Sequence, residues 1–371
     1  MFGNSNKNNN RSESNTGNTN NTIIDDIRVK NDFRKISFSG FKKTEVVKKL
    51  QDSIVNGKME EALYWCFELV CSGHFLVLWE AIFSTMSKSI HIGNPKLAIY
   101  VEMRSNEFKS IVNNGYVDQE LLLRNNEQIK TLFSEIIFIF ANSHKKYEIH
   151  PIRIKEDDLS MKNINHLLKA PSIQYAKDVF RDDDPKEIFI ALNEFMYNLS
   201  ADAASSRNAS FWFEWILLLH KVYQKKKLNL HISPRLNSSI QQKFQNDIIW
   251  IIWESIQTTA KRHSPLVQRI IGSLFQLFCL RYTAGTKTKR KMMIYYAITI
   301  LCEKYDVSIP VNGESYGGLN QKLMSGVNKI YKEIKKSEKK SNTDYLFEGM
   351  KEGKSNAEKT NKKLSIMNNI I

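Results

Sequence analysis

The chain has little of what staples or punctuates a fold. Its 371 residues include 4 Cys, 7 Pro and 15 Gly. Cys66, Cys71, Cys279 and Cys302 form no CxxC pair and sit among apolar neighbours, so the pattern is that of buried free thiols, not of a disulfide framework or a zinc site. So few Gly and Pro residues also exclude collagen-like and low-complexity classes. No apolar run approaches the roughly 18–20 residues that span a bilayer; the best are Ile136–Ala141, Phe211–Leu219 and Ile248–Trp253. The opening Met1-Phe2-Gly3-Asn4 lacks the charged and apolar regions of a secretory signal. An intracellular, reducing setting is therefore expected, and the sequons at Asn198 and Asn208 read as chance matches.

Catalytic signatures are missing as well. There is no Walker A loop, GxGxxG, HExxH or GxSxG. Gly349-Met350-Lys351-Glu352-Gly353-Lys354-Ser355 imitates a phosphate-binding loop, but it is one residue short between the glycines and follows no apolar strand. The eight histidines are scattered. Asp182-Asp183-Asp184 lacks the spaced oxygen ligands and the Gly of a hard-cation loop. No catalytic residue, metal ligand or cofactor is expected from local sequence.

What the chain does have is positive charge: 54 Lys+Arg against 39 Asp+Glu, a net +15. Residues 1–35 carry +2 and 319–371 carry +6, which leaves +7 for the body. A surplus of this size suits nucleic acid, an anionic surface or an acidic partner. It also suits plain solubility, and heavy Lys and Asn use is what an AT-rich genome produces.

Helical periodicity dominates from about residue 43 onward. Expected helices end at Asn56-Gly57 and Ser72-Gly73, run over 75–89, open after Pro95, and start at an Asp118 cap to reach Asn142. Residues 145–158 alternate around Pro151 and read as an extended connector, followed by short helices at 159–169 and 172–180. Asp184-Pro185-Lys186-Glu187 matches an N-cap, first-turn and capping-box pattern. Further helices are expected over 185–200, 207–226, 240–259, 264–281, 289–304 and 318–338. The fold class is all-α: two packed multi-helix halves with disordered ends. The divisions are an Asn-rich head (1–38), an N-terminal half (39–144), a connector (145–180), a C-terminal half (181–318) and a basic helix with its tail (319–371).

Two stretches echo one another. A helix from Glu45 precedes Ala62-Leu63-Tyr64-Trp65, and a helix from Glu187 precedes Ala209-Ser210-Phe211-Trp212. An internal duplication would explain this, as would two freely aligned amphipathic pairs. The six Trp fall as Trp65/Trp79, Trp212/Trp215 and Trp250/Trp253. Their apolar surroundings favour core anchors over base-stacking platforms.

Three basic segments are candidate phosphate contacts: Lys225, Lys226 and Lys227 at a helix end; Arg281, Lys287, Lys289, Arg290 and Lys291 in a loop that also holds Tyr282 and Gly285; and a helical stripe of Lys332, Lys335, Lys336 and Lys339. The competing reading for each is solvated surface charge, or a complement to a helix dipole.

Several segments resemble uncharacterised helical proteins of the nucleocytoplasmic large DNA viruses. They are Phe41-Lys42-Lys43, Ala62–Trp65, Cys71-Ser72-Gly73-His74, Asn94-Pro95-Lys96-Leu97, Asp247–Trp253, Lys289-Arg290-Lys291 and Tyr295-Tyr296-Ala297-Ile298, covering roughly 39–310. The resemblance implies a viral origin and a place in host cytoplasm, viral factory or virion, but no activity. A shorter likeness, Ala62–Trp65 followed by Ser72-Gly73, is similar to the helical collar of clamp-loader-related AAA+ proteins, without their ATPase domain. The expectation is a non-enzymatic scaffold or adaptor that contacts other viral proteins or a second copy of itself. The alternative is a sequence-nonspecific nucleic-acid-binding accessory factor in viral replication or packaging.

Overall fold

The computed structural model describes residues 22–235, 240–311 and 319–340. The Asn-rich head up to 21, the Gly349–Ser355 segment and the tail beyond 340 lie outside the described residues. The molecule is all-α. Among the described residues there is no sheet, only an isolated antiparallel bridge between Ile36 and Lys42, and no helix is long and apolar enough to cross a membrane.

The N-terminal helices are α1 (Lys43–Val55), α2 (Met59–Cys71), α3 (Phe75–Thr85), α4 (Leu97–Asn113) and α5 (Glu127–Asn142). The first two stops follow one mechanism. Gly57 (φ 68°) and Gly73 (φ 70°) take the left-handed conformation. Behind them the Lys58 amide donates to Ser53 O at 2.9 Å, and the His74 amide to Leu69 O at 2.8 Å. These are six-to-one C-caps that glycine closes without strain.

Other boundaries move. α3 gives way to a π-helical turn, Met86–Ile90, and then to buried His91 at φ 31°. That bulge re-aims the chain before α4. Asp118 does not cap α5; it sits at φ 61° in a turn, and Asn126 accepts from the Ile129 amide at 3.1 Å instead. The 145–158 connector forms no strand. Of the helices expected after it, 159–169 reduces to α6 (Met161–Ile164) and the 3-10 turn Asn165–Leu167, and 172–180 forms turns without a helix.

The C-terminal helices are α7 (Phe189–Leu199), α8 (Ser206–Lys225), α9 (Ile249–Ala260), α10 (Pro265–Cys279), α11 (Thr286–Lys289), α12 (Lys291–Cys302) and α13 (Leu319–Lys335). Ser264 and Pro265 open α10 as the sequence pattern requires. Asp184 does not behave as its local pattern suggests. Its carboxylate is fully buried and binds Arg235 at 2.6 and 2.7 Å. Pro185 therefore leads only into a 3-10 turn. Arg235 also reaches Glu254 at 2.6 Å, so the network ties the connector before α7 to α9.

One hydrophobic cluster runs through both halves. α12 is buried over most of its surface and contacts α7, α8, α9 and α10 on one side and α3 with its π turn on the other. A helix apolar all round belongs in such a place. α4 packs on α10, and α1 on α2 and α7 on α8 form the two hairpins of the sequence echo. α13 returns to α2 and α5, burying Val327, Tyr331 and Ile334. Order begins earlier than residue 38: the extended segment from Thr22 buries Ile24 and Phe33, and Ile27 donates to Lys339 O at 3.1 Å. Trp79, Trp212, Trp215, Trp250 and Trp253 are all core residues, and Trp65 is half-buried against Phe41 and Tyr64.

Candidate polyanion-binding cleft

The helix that carries one basic segment, α8, shares a cleft with the connection that carries a second. α8 carries the first, and its end is closed by Lys227 in the left-handed region (φ 55°). There the Leu228 amide donates to Tyr223 O at 2.9 Å and the Lys227 amide to Gln224 O at 3.1 Å. This is the same closure that Gly57 and Gly73 provide, made here by a lysine. Lys225 pairs with Glu156 at 2.8 Å. Lys226 and Lys227 are exposed and, among the described residues, have no carboxylate in ion-pair range.

The second segment is the connection from α10 to α12. Thr283 and Thr286 brace α11: the Thr283 amide donates to Thr286 Oγ1 and the Thr286 amide to Thr283 O, each at 2.9 Å. Tyr282 is buried against Trp250 and Phe244, with ring centroids at 4.9 and 5.6 Å. Its hydroxyl pKa is pushed up, first by burial and then by Asp247. The cations of this segment divide. Arg290, 6 % exposed, holds Glu80 through Nη2 at 2.6 Å, while its Nη1 donates to the carbonyls of Leu277, Phe278 and Leu280 at 3.0, 2.9 and 2.6 Å. It caps the end of α10 from inside the protein and is not placed to meet a phosphate. Lys291 pairs with Glu214 at 2.7 Å. Lys289 is exposed, with no carboxylate in range among the described residues.

Between the end of α8 and this connection lies a cleft of about 990 Å³. Its walls include His220 and Gln224 from α8, Lys243 and Asp247 from the chain before α9, and Tyr282 and Lys287. Lys287 Nζ bridges across to Asp247 at 2.7 Å, and Asp247 also accepts from the Ile249 amide at 2.9 Å, anchoring the start of α9. Lys243 lies over the Phe244 ring, 5.0 Å from its centroid. The buried His220 ring is held neutral: burial first, then Lys287 and His231, drive its pKa down to about 4 against the opposing pull of Asp247.

The third segment lies elsewhere. Lys335 Nζ donates to Ile23 O at 2.6 Å, Lys336 pairs with Glu333 at 2.5 Å, and the Lys339 amide donates to Asp26 at 2.9 Å. Lys332 is exposed on the same helix. This stripe pins the N-terminal segment to α13 and lines no part of the cleft. Arg281 (φ 47°) faces away from the cleft into a separate apolar pocket.

Sequence reasoning missed Lys243, Asp247 and the glutamines of the cleft. Their only signal is a polar stretch, Gln241–Asp247, between two apolar segments. Among the described residues no group of His, Cys, Asp and Glu could hold a metal ion. Cys66, Cys71 and Cys279 are buried free thiols and Cys302 is half-buried, with a pKa raised by burial to about 12. Comparison with protein-family models, with curated proteins and with solved structures finds no match.

Proposed function

We propose that the protein is a non-enzymatic binding factor whose cleft between α8 and α11 holds a polyanion, foremost a nucleic-acid strand gripped through its phosphates. One observation carries this reading. His220 and Gln224 of α8, just before one basic segment, and Lys287 of another, more than fifty residues on, line the same cleft. Lys243 and Lys287 lie in its wall, and exposed Lys226, Lys227 and Lys289 follow closely in sequence on its wall residues Gln224 and Thr288. Such groups neutralise phosphates without reading bases. Gln224, Gln242, Gln245 and Asn246 add hydrogen-bonding groups to the walls, as an unpaired strand would use.

The test is a salt titration with an unlabelled oligothymidylate competing against a fluorescent one. Log affinity should fall linearly with log salt, and Lys226→Glu with Lys289→Glu should reduce the slope by roughly 0.7 for each lost single-strand contact. An absence of binding at 20 mM salt, or a slope unchanged in the double variant, would remove the reading.

The scaffold reading keeps one observation in its favour. In the extended N-terminal segment Ile23, Ile27 and Val29 are exposed by 46, 57 and 60 %, an apolar row suited to a protein partner or a second copy of the chain. Substituting all three with Ser would abolish such an association without touching the salt slope.

A further inference from the structure

We propose that the apolar pocket between α3, α4 and the α10–α12 connection is a binding site for a small amphipathic anion: an apolar body carrying a carboxylate or phosphate. The proposal is independent of the polyanion cleft, on the other side of the same connection. The pocket has a volume of about 270 Å³. At roughly 30 Å³ per water-sized group, it has room for about nine such groups.

The walls are Phe75, Trp79, Phe83 and Phe108, with Val112 and Leu280. Three of these aromatic rings pack against Trp79, or against one another, at centroid distances of 5.3–5.8 Å. Such a lining takes an apolar body. Two features ask for more than a hydrocarbon. The first is Trp79 itself. It is only 4 % exposed, and its indole N–H has no acceptor among the described residues. The indoles of Trp215 and Trp250 donate to Asp158 O and Phe244 O at 2.8 and 2.6 Å, whereas that of Trp253 also lacks an acceptor among the described residues but, unlike Trp79, does not line this pocket. A buried donor left unmade costs about 1–3 kcal/mol, and a ligand oxygen in the pocket would satisfy it.

The second feature is the charge at the rim. Lys30 is matched by Glu120 at 3.1 Å and Arg290 by Glu80 at 2.6 Å. Lys109 and Arg281 also line the pocket, and among the described residues neither has a carboxylate in ion-pair range. The rim therefore carries four cations, Lys30, Lys109, Arg281 and Arg290, against the carboxylates of Glu80 and Glu120, the latter also within the field of Arg281, and so has two cations in excess above an aromatic floor. A neutral or cationic guest leaves them unmatched, whereas an anion completes both the rim and the floor.

The experiment uses the full chain with its tryptophans labelled with ¹⁵N at the indole nitrogen. Octanoate, octyl phosphate, octan-1-ol and octylamine are titrated in turn. The Trp79 indole resonance is identified by its disappearance in Trp79→Phe. One or both octyl anions should bind and move that resonance downfield, and whichever binds tighter assigns the head group. Octan-1-ol should bind roughly tenfold more weakly and octylamine weaker still. Lys109→Glu with Arg281→Glu should remove the preference for the anion while leaving octan-1-ol unchanged. Val112→Phe, which fills the pocket from a half-buried site, should abolish binding of all four while the urea midpoint stays within that of the parent chain. Octylamine binding as tightly as the anions would overturn the proposal, as would saturation by octanoate with the Trp79 resonance unmoved. Tighter binding by the acidic peptide acetyl-Glu-Phe-Glu-amide than by either octyl anion would also overturn it, because the pocket would then be an anchor site for a protein.

Discussion

Replacing Arg290 with Ala separates the structural role seen for this residue from the phosphate-binding role that its sequence neighbourhood suggests. The guanidinium makes contacts in two directions. Towards α3 it holds Glu80 through Nη2 at 2.6 Å and Nε at 3.1 Å; towards α10 its Nη1 serves three carbonyls at 2.6–3.0 Å. Truncation leaves those carbonyls without their donor at a buried helix end. Each orphaned buried acceptor costs about 1–3 kcal/mol. Water can enter from the apolar pocket and recover part of this, and Glu80, nearly a third exposed, can rehydrate. The loss should be about 3–5 kcal/mol, the range for breaking a buried charged network from one side. A lysine can serve the carboxylate or the carbonyls but not both, so Arg290→Lys should lose about 2 kcal/mol. The assay is urea unfolding at 25 °C, not a melting temperature, because a chain this long shifts its Tm only a few degrees per kcal/mol. Oligothymidylate affinity at low salt should stay at the parent value below the unfolding transition. If Arg290→Ala costs under 1 kcal/mol and weakens the oligonucleotide as much as Lys289→Glu does, the guanidinium faces solvent and the capping argument fails.

Three further outcomes follow from the same accounting. Asp184→Asn should destabilise by about 3 kcal/mol in urea unfolding, since it leaves Arg235 buried against a neutral amide. The Asp184 carboxyl is held below its usual range, chiefly by Arg235 and two backbone amides that outweigh its burial. Its contribution is therefore present above pH 3.8 and lost as pH falls through the lower folded value, and the variant should show a flatter acid limb. His220, with a folded pKa of about 4, binds its proton less readily than the unfolded imidazole at 6.5. Stability should fall by at most about 3 kcal/mol between pH 6.5 and 4, less where water reaches the ring through the cleft, and His220→Gln should flatten that interval. Lys227→Gly should raise stability by about 0.5–1 kcal/mol, because φ 55° costs a lysine what it does not cost a glycine. A destabilised Lys227→Gly would mean that the lysine side chain itself holds the end of α8.

How much was legible depended on whether the deciding contact was local. The stops at Gly57 and Gly73 and the start at Ser264-Pro265 could be read because cap chemistry acts over six residues or fewer. Asp184 could not. Its local pattern is a good N-cap, yet Arg235, 51 residues on, offers a buried ion pair that the cap cannot match. The same holds for the basic loop. Its charge was visible, but whether each cation is free is decided 40 residues away for Lys287, at Asp247, and 210 away for Arg290, at Glu80. The segment 22–37 falls in the head expected to be disordered (1–38), yet burial of Ile24 and Phe33 and the contacts of Asp26, Ile27 and Arg28 with residues 337–339, more than 300 positions away, seat it. The tryptophans were read correctly because runs such as Ile248–Trp253 leave no solvated face for a stacking platform.

The α10–α12 connection is the wall common to both cavities. Tyr282, Ala284, Lys287 and Thr288 face the polar cleft, while Leu280, Arg281 and Arg290 face the apolar pocket. Arg281 at φ 47° turns the chain between them, and Arg290 clamps the far end to both α10 and α3. An anion at Arg281 and a phosphate at Lys289, the two proposed ligands, would bear on one short element. If each ligand prefers a different setting of that element, linkage requires that each change the other's affinity by the same factor. A residue that first reads as a phosphate contact is thus a structural clamp that joins the end of α10 to α3.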